Sequence, residues 1–162
     1  MNHAHHALHH SIAAVPNQSL NRIAFDATLH CLTGCAIGEV LGMMIGTALG
    51  WSAGATIALA VTLAFISGYA FTAVPLWRSG MPLRTTARIA FAADTASIAV
   101  METVDNALML VIPGAMDAPL SSPLFWGALA ASLTLAGAAA YPLNRWLIRR
   151  GLGHAMAHAH HH

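Results

Sequence analysis

Four long apolar runs leave this chain few places to fold. They extend roughly over residues 27–49, 52–76, 89–112 and 124–148. Each exceeds the ~20 residues a helix needs to cross a bilayer core. Backbone N–H and C=O groups find no water in hydrocarbon, so a segment that crosses it must satisfy them internally, as a helix does. Composition agrees: 57% of the 162 residues are hydrophobic and 8% are charged, against about 25% charged in soluble domains. The expectation is an all-α, four-helix transmembrane bundle (residues 25–150) with a lipid bilayer as its first partner. His-rich tails flank it at 1–24 and 151–162.

The joints between the runs fit. Gly50-Trp51-Ser52 reads as a tight hairpin, Pro75 to Arg84 contains Gly80 and Pro82, and Pro113-Gly114 to Pro123 holds three prolines, all poor helix formers. The first 24 residues carry one arginine and no apolar run ending at a small-residue cleavage site, so no secretory signal is expected. Two cysteines are too few for a disulfide framework. A net charge of +1 points to no nucleic-acid partner.

All seven basic residues are arginines, and their placement sets an orientation. Arg22 precedes the first run, Arg78, Arg84 and Arg88 lie between the second and third, and Arg145, Arg149 and Arg150 end the fourth. Cytoplasmic loops collect arginine and lysine, so both termini should be inside, N-in/C-in, in a bacterial inner (plasma) membrane. The tryptophans agree independently. Trp51 and Trp126 fall at outer ends, Trp77 and Trp146 at inner ends, where an indole can bury its ring and wet its N–H.

Ionisable residues inside the runs carry the functional argument. In the first, Cys31, Cys35, Glu39 and Met43 form a stripe at spacing four, just past His30. In the third, Met101, Asp105 and Met109 share a face, with Asp94, Ser97, Glu102 and Asn106 close by. A carboxylate at mid-bilayer costs about 2.5–3.5 kcal/mol on insertion scales, so such groups should turn inward and find partners. Helices 1 and 3 run in the same direction, which brings Glu39 near the level of Glu102 and His30 near Asp94. A polar column between helices 1 and 3 is expected, with helices 2 and 4 as lipid-facing staves. Buried cysteine by itself is often just a small hydrophobe. At spacing four, Cys31 and Cys35 have Cβ atoms about 5–6 Å apart, too far for an unstrained disulfide but suited to one soft ion.

Thiolate and thioether select soft ions such as copper(I), imidazole suits copper, zinc and nickel, and carboxylates suit harder ions. The mixed set therefore points to a transition-metal ion as cargo, copper first, with zinc or nickel as alternatives. The expected ligands are His30, Cys31, Cys35, Glu39, Met43, Met101, Glu102 and Asp105, with His154 and His158 in the C-terminal tail. Ten of the eleven histidines lie in the two tails, and His-rich tracts bind metal. The terminal triplet also fits an expression tag. A second stripe, Gly34, Gly38, Gly42 and Gly46, lets another backbone approach closely. It reads as plain helix packing or as the contact of a homo-oligomer.

The run FDATLHCLTGCAIGEVLGMMIGTALGW (Phe25 to Trp51), the METVDN run of the third span and the ending YPLNRWLIRRGLGHAMAHAH resemble a prokaryotic membrane family defined by domain of unknown function 4396. The resemblance implies four spans and native C-terminal histidines, and it implies no particular activity. Three functions are expected to compete. The first is a small transporter or channel for a soft metal ion. The second is a membrane scaffold or accessory subunit whose polar residues only hold helices together. The third, an intramembrane enzyme, has no nucleophile–base pattern to support it.

Overall fold

A computed structural model of the chain describes residues 19–150. The histidines of both tails, His154 and His158 among them, lie outside the described residues. Within them the chain forms α1 (Leu20–Ala48), α2 (Ala53–Arg78), α3 (Leu83–Val111) and α4 (Pro123–Arg149). Three of the starts are capped by serine: Ser19 accepts from Arg22 N, Ser52 from Ala55 N and Ser122 from Leu124 N, each satisfying a donor that the helix cannot. α1 ends where Gly50, at φ 64°, enters the left-handed region. There Trp51 N bonds Gly46 O at 2.9 Å and Gly50 N bonds Thr47 O at 3.1 Å, closing the last turn as glycine readily does. Gly80 repeats the device after α2.

α1 and α3 both begin about six residues before their apolar runs. Hydropathy marks where hydrocarbon begins, whereas caps mark where the helix begins, and these helices start outside the apolar layer. α1, α2 and α4 are long and apolar enough to cross a membrane, which makes this a membrane protein. α3 is as long as α1, at 29 residues, but Asp94, Glu102 and Asp105 interrupt its apolar stretch. All three are buried inside the bundle.

The helices alternate in direction around a square. α1 packs on α2 and α4, α3 packs on α2 and α4, and α1 faces α3 across the diagonal with far less contact. The tightest seam joins α1 to α2. A Cβ added at Gly34 would lie 2.9 Å from Gly68 Cα, one at Gly46 would lie 2.7 Å from Thr56 Cγ2, and those at Gly38 and Gly42 would overlap the Leu63 carbonyl and the Ala60 backbone. Each step of four up α1 meets a step of four down α2, whose buried residues are Thr56, Ala60, Ala64, Gly68, Thr72 and Leu76. Ser67 Oγ also lies 2.6 Å from Gly34 O across this seam. The glycine stripe therefore faces α2 of the same chain, the plain helix-packing alternative.

Large apolar side chains point the other way. Leu41, Ile45, Ile66 and Leu135 are 42–58% exposed, while the core is built largely from Ala, Gly, Ser, Thr and Cys. Small residues inside and large ones outside is the arrangement lipid favours, because close backbone packing, rather than apolar burial, holds helices together there.

The start of α1, the ends of α2 and α4 and the start of α3 share one end of the bundle. Arg145 Nε donates to Asn21 Oδ1 at 2.8 Å, which ties α4 to α1. All seven arginines lie at or near this end. Arg150 stacks 4.3 Å above the Trp146 ring.

A candidate intramembrane polar column

Four of the carboxyls expected to turn inward do so: Glu39, Asp94, Glu102 and Asp105 are each 1–5% exposed. They form a file along the bundle axis. Nearest the arginines, Thr72 Oγ1 lies 3.3 Å from His30 Nε2, beside the buried Asp94. His30 is half-buried, its ring 4.9 Å from that of Phe71. One level on, the thiols of Cys31 and Cys35 are buried one helical turn apart, packed with Met101 and Ile98. Cys35 also meets Glu102, the first carboxyl that α3 places beside it. Asn106 Nδ2 donates to Glu102 O at 2.9 Å and to Glu102 Oε2 at 3.4 Å.

Next, the carboxyls of Glu39 and Asp105 face each other across the diagonal. Ser132 of α4 donates to Asp105 Oδ1 at 2.5 Å. Among the described residues, no hydrogen-bond donor reaches Glu39 Oε2 or Asp105 Oδ2, and Ser97 Oγ, nearer the arginines, is likewise buried without a partner. Met43 and Met109 end the file in the cluster at the far end of the bundle. From His30 to Met43 the file spans ~20 Å at 1.5 Å per residue, about two thirds of a hydrocarbon core of ~30 Å.

α2 and α4 are more than outer staves. Thr72 and Ser132 close the column from the sides, and Asn144 Nδ2 donates to Thr28 Oγ1 at 2.9 Å between α4 and α1. The sequence reading missed these three. Thr and Ser in membrane helices commonly bond their own backbone, as Thr62 and Thr134 do here, so a hydroxyl gives no sign of facing a neighbour. Asn144 stands near the arginine-rich end of α4, where a polar side chain can reach the interface as readily as a neighbouring helix. Replacing it with leucine removes one buried interhelical hydrogen bond. Detergent unfolding of N144L should show a loss of about 0.6–1.7 kcal/mol; no loss would mean that the bond contributes nothing net.

The expected ligands come together in neighbouring pairs rather than as one cage. Among the described residues, no three His, Cys, Asp or Glu side chains converge as a ready-made metal site. Cys31 with Cys35, Cys35 with Glu102, and Glu39 with Asp105 instead succeed one another along the axis.

No curated protein matches the chain, and no solved structure matches it. The family model described as "Domain of unknown function (DUF4396)" matches residues 21–153, nearly the whole of the helical bundle, and the chain belongs to that family.

Proposed function

We propose that this protein passes a soft transition-metal cation, copper(I) first, along the file between α1 and α3. One observation carries the reading: four carboxyls and two thiols, each no more than 5% exposed, are stacked through the interior of a membrane protein. Each buried carboxylate has a substantial insertion cost, and packing alone does not require four. Their serial arrangement suits transit. A conducting path needs sites that hold an ion weakly and repeatedly, not one that traps it. Thiol and thioether groups beside the carboxyls favour a soft ion.

In this reading α3 is the fourth span, made tolerable in lipid because its carboxyls face the interior. The arginine end lies in the cytoplasm of a bacterial inner membrane, and the tail histidines exchange the ion there. The Ser132–Asp105 and Asn144–Thr28 bonds favour a second reading, a scaffold in which polar groups only join helices.

Uptake into proteoliposomes separates the two. Vesicles holding the full chain, given copper(I) under reducing conditions and stripped of external metal by a chelator, should retain about tenfold more copper than empty vesicles. The variant with Cys35→Ser and Glu102→Gln together should fall to the empty-vesicle level. Wild-type uptake equal to that of empty vesicles would overturn the transport reading.

A further inference from the structure

We infer that the end of the bundle remote from the arginines carries a three-thioether binding site for copper(I), built by Met43, Met109 and Met116. The inference deepens the transport reading, from which it takes its cargo, and gives the file a selective mouth.

A small cavity lies at that end, bordered by the three methionines together with Glu39 and Asn106. They come from three places in the chain. Met43 is on α1 and Met109 on the last turn of α3, both buried. Met116 comes from the loop between α3 and α4. That loop folds inward: Gly114 turns at φ 77°, Ala115 is fully buried and bonds back to Ile112 O at 3.1 Å, and Met116 follows it onto the Met43 and Met109 cluster.

Methionine often serves only as an adaptable core filler. Here the three side chains converge on one narrow space, about large enough for a single small ion or water. They share that space with Glu39, whose Oε2 is buried and, among the described residues, reached by no hydrogen-bond donor. Neutral thioethers are poor ligands for hard divalent ions and good ones for copper(I). The Glu39 carboxyl and the Asn106 amide place oxygen atoms beside the thioethers. Glu39 also faces Asp105, so an ion leaving the methionines meets the next pair of the file.

Purified full-length protein in detergent, titrated with copper(I) against a chromophoric chelator, tests the site, with X-ray absorption reading the metal's neighbours. Leucine keeps the volume of methionine with little strain. M43L, M109L and M116L should each weaken the sulfur-coordinated site about tenfold or more, and each should remove sulfur from the coordination shell. M81L, in the loop at the arginine end, should leave both unchanged. Wild-type affinity and sulfur count in all three cavity variants would overturn the inference. The two readings can fail separately. Methionine-dependent binding without vesicle uptake would sink transport and keep the site. Vesicle uptake together with wild-type affinity and sulfur count in all three leucine variants would sink the site and keep transport.

Discussion

Gly38→Ala should be the most damaging single methyl group that can be added to this protein. The new Cβ would overlap the Leu63 carbonyl and meet Ala64 N. Both are backbone atoms, so no rotamer change relieves the clash, and α1 and α2 must move apart along their whole seam. Overpacking of a tight core typically costs about 1–3 kcal/mol, and the upper end or beyond is expected here because the obstacle is backbone. In a membrane the loss is compounded: small-residue contacts are the principal attraction between helices, and parting them is not opposed by apolar surface meeting water. The measurement is the unfolding midpoint in mixed micelles of mild detergent and dodecyl sulfate. Gly54→Ala is the control, since a Cβ there has nothing within 4 Å. It should be neutral or gain about 0.5–1 kcal/mol from helix propensity. If both variants unfold at the wild-type midpoint, the α1–α2 seam is not as close as described.

Glu102→Met should abolish function while sparing or raising stability. Glu102 is 5% exposed, accepts from Asn106 and lies beside Cys35. Methionine has similar length and volume. It forgoes those contacts but removes a polar head that burial disfavours. Exchange of buried ionic groups for apolar ones of like volume is often neutral or stabilising by about 1–4 kcal/mol, so the unfolding midpoint should hold or rise. Copper uptake into vesicles should nevertheless fall at least about tenfold, because the file loses its link between Cys35 and the Glu39–Asp105 pair. A scaffold predicts the reverse pairing, with stability lost and no transport to lose. An E102M protein that unfolds early and carries copper as the wild type does would refute the role given to Glu102.

Much of this architecture is legible in the residues alone. Glu39, Asp94, Glu102 and Asp105 could be placed inside because a carboxyl in lipid has nowhere else to go. The close-packing role of Gly34, Gly38, Gly42 and Gly46 was equally readable, but not the identity of its partner. The matching small residues of α2, from Thr56 through Ala60, Ala64 and Gly68 to Thr72, stand at the same spacing in the sequence. Against a helix rich in alanine and threonine, that stripe gives a weak signal. Met116 could be read as a methionine in a proline-rich loop. Its place beside Met43 and Met109 depends on a turn at Gly114 and on the burial of Ala115, neither of which has a marked pattern.

The sequence by itself determined that four helices form, that each carries an apolar run long enough to cross a bilayer, which end gathers the arginines, and that the acids turn inward. These follow from properties each segment has alone in its solvent: apolar length, charge, and the need of the backbone to bond itself in lipid. The tertiary structure decided which face meets which. It set α1 against α2 rather than another subunit, put α1 and α3 on a diagonal, and brought Thr72, Ser132 and Met116 to the column. A helix can be rotated about its axis and slid along it with little change to its own hydrogen bonds. Only contact with its neighbours, here the locking of Gly38 onto the Leu63 and Ala64 backbone, selects one rotation and one register.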